Sequence, residues 1–209
     1  MFVKSTMIKR ENCYSVKMDD SIQVGLELLE KHSLDALPVV DGNEYKGIFT
    51  WYHAYRAFFH SGKTKEEFTN STKVSDIVVN QDVTLDINDV YEKALMELSD
   101  FPIIAVVEGT EFLGIVTRFD VVNQLQSAFG MHQPGYRITF TSVETQGRIG
   151  RLGEIIEKYK ESVISLVTFD ETAKLVRRIV LKIQKKDNVE RFVKELEKSG
   201  FRVLDVSED

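Results

Sequence analysis

Two stretches of the sequence, LPVVDGNEYKGIFT at Leu37–Thr50 and IAVVEGTEFLGIVT at Ile104–Thr117, line up with each other without a gap. In each stretch an apolar run leads into a turn that contains glycine, and a second run ends in Gly-Ile-apolar-Thr. Apolar runs on both sides of a glycine turn are typical of a β-hairpin. Since self-similarity indicates a repeated structural unit, we predict two copies of one small fold.

Each copy extends upstream of its hairpin. YSVKMDDSI at Tyr14–Ile22 resembles VTLDINDVY at Val83–Tyr91, and leucines at helical spacing follow both segments. Each copy is therefore predicted to fold as strand, helix, strand, strand, helix. The predicted boundaries are residues 1–60 for the first copy, 61–72 for a polar linker and 73–130 for the second copy.

The repeat pattern stops at Gln133-Pro134-Gly135, where proline and glycine break the preceding helix. Beyond this break, apolar residues at Tyr136, Ile138 and Phe140 alternate with polar ones and predict a strand. The pattern then predicts a helix, two strands, a second helix and a last strand. This βαββαβ order is the ferredoxin-like topology. We predict a third domain over 134–209 and an α+β fold class for the chain.

The repeated residues resemble those of CBS domains, on the motifs LPVVD…GIFT and IAVVE…GIVTRFD, and the resemblance implies a tandem pair that forms one Bateman module. It covers roughly 1–130. The third domain resembles the ACT fold, on the segment Glu144-Thr145-Gln146-Gly147-Arg148-Ile149, in which Gln146 stands where that fold usually has proline. The order CBS–CBS–ACT is similar to that of the acetoin-utilisation-type regulatory proteins of bacteria.

The resemblance implies that an adenine nucleotide binds in the cleft between the two copies. A carboxylate would accept hydrogen bonds from the two ribose hydroxyls, and a neighbouring hydroxyl would reach ribose or phosphate. Asp120 and Thr117 match those positions, and Arg118 is placed to neutralise a phosphate. The facing residues implied by the family are Tyr14, Asp35, Ala36 and Pro38.

Each of these residues also has a simpler interpretation. An aspartate in the first turn of a helix stabilises the helix dipole without any ligand, and an exposed arginine at a helix start is often only solvated. The aromatic cluster on the helix after Thr50 would offer a stacking surface for a base, but a helix this rich in rings more often packs in a core or a subunit contact, and we interpret it so. Its members are Trp51, Tyr52, Tyr55, Phe58 and Phe59.

The mirror cleft departs from the family pattern. Thr50 is kept, but His53 stands where the ribose carboxylate would be, and Ile103 lies in a facing segment that lacks the usual proline. An imidazole makes one hydrogen bond per nitrogen and is not anionic. It therefore cannot replace a carboxylate that accepts hydrogen bonds from both ribose hydroxyls. We predict that this cleft is empty or differently selective.

The candidate effector site of the third domain consists of Glu144, Gly147 and Ile149. Gly147 permits a backbone turn close to a ligand and leads into a helix whose free N–H groups would bind a carboxylate. The resemblance implies an amino acid as this second ligand. Arg148 and Arg151 lie in the first helical turn, where the helix dipole disfavours positive charge. Either they meet an anion or a partner carboxylate, or they lie on a solvated face, and both interpretations stay open.

The bulk composition excludes several kinds of partner. A formal net charge of −6 over 209 residues gives no general attraction to nucleic acid or anionic lipid. No apolar run approaches the about 18 residues that span a bilayer, and the start lacks the apolar core of a signal peptide, so we expect a cytoplasmic protein. A single cysteine and four scattered histidines match no metal-ligand spacing. We expect no metal and no other cofactor.

Motifs of the P-loop, nucleophile-elbow and HExxH types are missing from the sequence. We therefore predict a regulatory protein and not an enzyme: a homodimer that binds an adenine nucleotide and controls an unidentified protein. Two alternatives remain. The chain would be an adaptor that docks a partner with both clefts empty, or a catalyst acting on a nucleotide.

Overall fold

The computed structural model describes residues 3–143, 145–171 and 176–208. It divides into two compact units, Met1–Val122 and Asn123–Asp209, which are treated separately below. The division falls inside the last helix of the second copy, so the domain boundaries predicted from the sequence stay predictions. None of the helices in the described ranges is long and apolar enough to cross a membrane.

The first unit contains the strands of both copies. Its strands are β1 (Ile8–Lys9), β2 (Ala36–Asp41), β3 (Glu44–Thr50), β4 (Thr84–Asp86), β5 (Ile103–Glu108) and β6 (Glu111–Thr117). Its helices are α1 (Ile22–His32), α2 (Trp51–Ser61), α3 (Lys65–Ser71), α4 (Glu92–Glu97) and α5 (Arg118–Ala128), of which α5 runs on into the second unit. The elements β2, β3 and α2 of the first copy correspond to β5, β6 and α5 of the second.

The strands of the first unit form one sheet in the order β2-β3-β6-β5-β4, with β1 paired to β6. The predicted hairpins are β2–β3 and β5–β6, and each has an irregular register, between Val39 and Val40 and between Val106 and Val107. The copies meet in the sheet where Glu44 of β3 pairs with Glu111 of β6. The sheet is thus continuous from one copy to the other.

The first residues of each copy cross to the hairpin of the other copy. Ile8 of β1 pairs with Ile115, and Val79, just before the second copy's first strand, pairs with Ile48. The amide of Ile48 donates to the carbonyl of Val79 at 2.8 Å, and the amide of Val79 donates back at 3.2 Å. Each hairpin is therefore completed by backbone from the other half of the repeat.

This crossing explains the glycine in the repeated Gly-Ile-apolar-Thr motif. A Cβ atom on Gly47 would lie 2.7 Å from the carbonyl oxygen of Val79, and one on Gly114 would overlap the carbonyl oxygen of Ile8. Gly47 also has a φ of +135°, which side chains rarely adopt. The motif needs glycine because another backbone passes directly over it.

Strands β2 and β5 are buried on both faces. Leu37 and Val39 pack with the helices of the first copy, whereas Ala36 and Val40 pack in a core shared with the second copy. The shared core also contains Ile48, Ile103, Ala105, Val107, Phe112 and Ile115. A strand that is buried on both faces has a continuous apolar run, which is why these segments do not alternate in sequence.

The polar segment 61–72, predicted as a linker, contains helix α3. Its start is stabilised by a capping box, in which the Thr64 hydroxyl accepts from the Glu67 amide and the Glu67 carboxylate accepts from the Thr64 amide. Phe68 is buried in the first copy's core, with its ring 5.4 Å from that of Phe58. One buried side chain in a short polar helix is too weak a periodic pattern to predict from sequence.

The second unit has the predicted βαββαβ order. Its elements are β7 (Tyr136–Val143), α6 (Arg148–Tyr159), β8 (Val163–Glu171), β9 (Val176–Ile183), α7 (Val189–Lys198) and β10 (Arg202–Glu208). The antiparallel sheet has the order β10-β7-β9-β8. Ile138, Phe140 and Leu181 pack against Leu152 and Phe192 of the helices and form the core of this unit.

Gly114→Ala should lower the free energy of unfolding by about 1–3 kcal/mol, because the added methyl group must displace β1 from β6. Denaturant unfolding followed by the fluorescence of Trp51, the single tryptophan, would measure this in the first unit. Gly109→Asn is the control, since Gly109 has a φ of +63° and open space around it, and asparagine tolerates that conformation. Equal destabilisation by both substitutions would contradict the role assigned to the crossing.

Candidate functional site

One cleft in the first unit is lined by residues from both copies. It has a volume of about 340 Å³, within the range of small-molecule sites. The structure brings together in its lining most of the residues predicted for a nucleotide, namely Tyr14, Asp35, Ala36, Pro38, Thr117 and Arg118. We call this the first cleft.

The lining of the first cleft is apolar at its base and aromatic at its mouth. Ala36, Ile103 and Ile115 are buried residues of the shared core. Tyr14 is half exposed, and its ring stacks on that of His32 with 3.7 Å between the centroids. Apolar walls and an accessible ring suit a flat, partly polar group such as a nucleobase.

Asp120, at the start of α5, is not among the residues that line the first cleft, but it is hydrogen-bonded to Thr117, which does line it. The Thr117 hydroxyl donates to Oδ2 of Asp120 at 2.6 Å, the Thr117 amide donates to the same oxygen at 3.0 Å, and the Asp120 amide donates to the Thr117 hydroxyl at 3.1 Å. These bonds form a capping box. Asp120 therefore stabilises the start of α5, which is the structural role that needs no ligand. Among the described residues, its other oxygen, Oδ1, has no hydrogen-bond partner.

Arg118 is held at the rim of the cleft by the end of α4. Its Nε donates to the carbonyl of Leu98 at 3.1 Å, and its Nη2 donates to the carbonyl of Ser99 at 3.4 Å. Carbonyls at a helix C-terminus lack intrahelical partners and are stabilised by cations. The guanidinium is therefore positioned by the fold and not only solvated.

Cys13 also lines the first cleft and was not predicted to do so. Its thiol donates weakly to the carbonyls of Lys9 at 3.3 Å and Ile8 at 3.5 Å. Burial raises its pKa to about 11, so the thiol is uncharged at neutral pH. No sequence pattern around Cys13 indicates this position, because it depends on β1 crossing to β6.

A second cleft of about 410 Å³ lies at the corresponding end of the first copy. It contains Thr50 and His53, as predicted for the mirror site. It is also lined by Trp51, Tyr52, Asp100 and Phe101, and it shares Asp35, Pro102 and Arg118 with the first cleft. Trp51 and Phe58 of the aromatic cluster pack against the core of the first copy, as predicted. Trp51 and Tyr52 also line this cleft.

Thr50 and His53 reproduce the cap formed by Thr117 and Asp120, with an imidazole in place of the carboxylate. The His53 amide donates to the Thr50 hydroxyl at 3.2 Å, and this hydroxyl lies 2.8 Å from Nδ1 of His53. Burial, together with the charge of Arg56, lowers the pKa of His53, which keeps the ring neutral at neutral pH. The second cleft thus has no anionic group at the ribose position.

Ile103 lies in the first cleft and not in the second, where the sequence placed it. Ile103 pairs with Thr117 across the β5–β6 hairpin, and this pairing brings it to the side of α5. Its neighbour Pro102 lines both clefts. A difference of one residue along β5 decides which cleft a side chain lines, because successive side chains of a strand point to opposite faces.

The candidate effector site of the second unit is smaller. Gly147 and Ile149 line a cavity of about 180 Å³ together with Ser142 and Arg177, whereas Glu144 lies outside the described residues. Gly147 has a φ of +84° at the start of α6, which agrees with the backbone turn predicted for it. The cavity leaves room for a small ligand only.

Arg148 has partners within the chain. It donates to the hydroxyl of Ser142 at 2.7 Å and to the carbonyls of Ser199 at 3.1 Å and Gly200 at 2.7 Å. Its guanidinium lies 4.2 Å from the centre of the Phe201 ring. Arg148 therefore fastens the end of α7 to α6, an explanation that the two interpretations from sequence did not include.

Arg151 lies on the exposed side of α6 and pairs with Glu154 at 2.8 Å. Such exposed pairs contribute little to stability, with a typical value of about 0–1 kcal/mol. This position agrees with the solvated-face interpretation of Arg151.

Comparison with known proteins gives consistent results for the two copies. The family model described as CBS domain matches residues 3–60 and 74–127. A CBS domain-containing protein of unknown function from Bacillus anthracis is 28% identical, with a TM-score of 0.55 over 60% of this chain and 93% of that chain. No curated protein matches the chain significantly.

Two similar structures belong to proteins that have also been solved with ligands. CBSX2 from Arabidopsis thaliana is 26% identical, with a TM-score of 0.51 over 59% of this chain and 93% of that one, and CBSX2 has been solved in complex with AMP. CbpB from Listeria monocytogenes is 25% identical, with a TM-score of 0.50 over 58% of this chain and 97% of that one, and it has been solved in complex with c-di-AMP. The two ranges matched by the family model are the two copies that the hairpin motif first indicated, and together they make up more than half of the sequence. The chain belongs to the CBS domain family.

Proposed function

We propose that this protein is a regulatory sensor that binds an adenine nucleotide in the first cleft. The observation that carries the proposal is the convergence of Thr117 and Arg118 of one copy on Tyr14 and the start of β2 of the other. CBSX2 and CbpB, which share the fold, have been solved with AMP and c-di-AMP. CBS-domain proteins are typically regulatory and not enzymatic, which also supports a sensor.

In this proposal the base lies on the apolar residues Ala36, Ile103 and Ile115. The ribose hydroxyls donate to Oδ1 of Asp120, which has two lone pairs, while Oδ2 remains in the helix cap. The Thr117 hydroxyl donates its one proton to Oδ2 of Asp120, so it accepts from a ribose hydroxyl through its remaining lone pair. Arg118 pairs with the phosphate. The capping box thus holds the Asp120 carboxylate in one orientation before the ligand binds.

Regulation follows from the fact that both copies line the cleft. A ligand that touches both copies stabilises one arrangement of the pair over others, by the difference between its affinities for them. The proposal includes a homodimer and a regulated protein that is still unidentified. Tyr55 on α2 and Val122 on α5, at matching positions in the two copies, are exposed to 59% and 45% and are available for a dimer contact.

We propose further that the second unit is an ACT domain of ferredoxin-like topology, as in the acetoin-utilisation-type proteins. The βαββαβ order and a sheet with β7 and β9 at its centre support this assignment. An amino acid is the effector proposed for the cavity beside Gly147 and Ile149. Its volume of about 180 Å³ is below the range of sites for drug-sized ligands, and it therefore favours a ligand as small as an amino acid.

Asp120→Ala should weaken AMP binding by about tenfold to a hundredfold in titration calorimetry, because hydrogen bonds to a charged group contribute about 1.5–3 kcal/mol. The variant also loses a helix cap, which costs about 1 kcal/mol of stability. Glu67→Ala is the matched control, since it removes the corresponding cap of α3 away from the cleft. It should lose similar stability and keep its AMP affinity.

If the wild-type protein binds none of AMP, ADP, ATP and c-di-AMP, the nucleotide proposal is wrong. A ligand-independent adaptor would then be the better description. Equal AMP affinity of wild type and Asp120→Ala would leave a nucleotide site but remove Asp120 from it.

Cys13 should react with iodoacetamide at pH 8 about a hundredfold more slowly than an ordinary thiol, because a pKa of about 11 in place of 9.0 lowers the thiolate fraction by that factor. Saturating AMP should slow the reaction further by covering the first cleft. Urea-unfolded protein is the control and should react at the rate of a free thiol. If AMP does not change the reaction rate of the folded protein, AMP does not occupy the part of the first cleft next to Cys13.

A further inference from the structure

A pair of stacked rings lies at the wall of the first cleft. The rings of Tyr14 and His32 have 3.7 Å between their centroids and 19° between their planes. Tyr14 lines the cleft, whereas His32 is not among the lining residues. Tyr14 is still 50% exposed although the imidazole covers one face of its ring, so a ligand in the cleft has access to Tyr14.

The end of helix α1 fixes the position of His32, its last residue. The amide of Leu34 donates to the carbonyl of Leu29 at 2.9 Å, and the amide of Ser33 donates to the carbonyl of Glu30 at 3.2 Å. With Ser33 in the left-handed conformation, these bonds form a Schellman motif that closes the helix. Leu29 is fully buried in the core, so the backbone of His32 is held at a defined place beside the cleft.

The stack on His32 is the contact that orients the side chain of Tyr14. In the described part of the chain, the Tyr14 hydroxyl makes no hydrogen bond and its ring stacks on no other ring. A half-exposed tyrosine without such a contact would populate several rotamers in solution. Ordering a side chain of this kind on binding lowers the affinity for the ligand. His32 therefore reduces this loss of affinity by holding the ring before a ligand arrives.

The simpler role of His32 is that of a histidine at a helix C-terminus. A charged imidazole there interacts favourably with the helix dipole, and its N–H groups donate to the last carbonyls of the helix. Among the described residues, neither ring nitrogen of His32 has a hydrogen-bond partner, and the imidazole lies flat against Tyr14 instead. The geometry therefore favours a role through the face of the ring and not through its nitrogens.

We infer that His32 is a positioning residue of the nucleotide site, which holds the ring of Tyr14 ready to stack on the base. The base then contacts Tyr14 as well as the apolar residues at the bottom of the cleft, since flat aromatic groups stack favourably. The inference rests on the proposed function, because it takes the first cleft to be a nucleotide site. It adds a residue that does not itself touch the ligand.

Titration calorimetry on the full chain tests the inference, and its probe is whichever of AMP, ADP, ATP and c-di-AMP the wild type binds most tightly. His32→Ala should weaken binding about threefold to tenfold, because the freed Tyr14 ring loses rotamer freedom when the probe binds. His32→Phe should restore the affinity to within about twofold of the wild type, since a phenyl ring keeps the stack but has no nitrogen and no charge. In a Tyr14→Ala background, His32→Ala should have no further effect, because His32 acts through Tyr14.

His60→Ala is the matched control. His60 lies in the last turn of α2, as His32 does in α1, and its ring contacts that of Phe59 outside the lining of the first cleft. Its removal should leave the affinity unchanged. Wild-type affinity in His32→Ala, an affinity of His32→Phe as low as that of His32→Ala, or additive effects of His32→Ala and Tyr14→Ala would each overturn the positioning role while the nucleotide site stood. Binding of none of the four probes would instead overturn the proposed function.

Discussion

The first unit depends on an exchange of backbone segments between its two copies. Strand β1, at the start of the first copy, pairs with β6 of the second, and Val79, near the start of the second copy, pairs with Ile48 of the first. Buried peptide groups must find hydrogen-bond partners, so neither hairpin satisfies its backbone without the other copy. The two copies therefore form one folded unit with a shared apolar core, and Gly47 and Gly114 mark the two crossings.

The same exchange places the first cleft. Because β1 lies beside β6, the residues that follow β1, including Cys13 and Tyr14, arrive next to Thr117. The start of β2 supplies the other wall. Residues that are far apart in the chain, and that belong to different copies, thus line a cleft whose position follows from strand pairing.

The two copies use one local geometry for different chemistry. Thr50 with His53 and Thr117 with Asp120 form equivalent caps at the starts of α2 and α5. A carboxylate retains an uncommitted oxygen with two lone pairs and a negative charge, whereas a neutral imidazole already bonded at Nδ1 has only Nε2 left for one further hydrogen bond. Arg118 of the second copy lines both clefts. The matching position of the first copy is Trp51, which has no charge. The clefts consequently differ in charge although their backbones correspond.

The two copies, their hairpins and the βαββαβ order of the last domain could all be predicted from the sequence, because apolar periodicity and turn residues are local signals. Through the family resemblance the sequence also indicated six of the residues that line the first cleft. Only the tertiary structure decided that segment 61–72 holds a helix, that Ile103 faces the first cleft, that Arg148 fastens α7 to α6, and that Arg118 stands between two clefts. These features depend on distances between residues that are remote in sequence and on strand register, where a change of one residue turns a side chain to the opposite face.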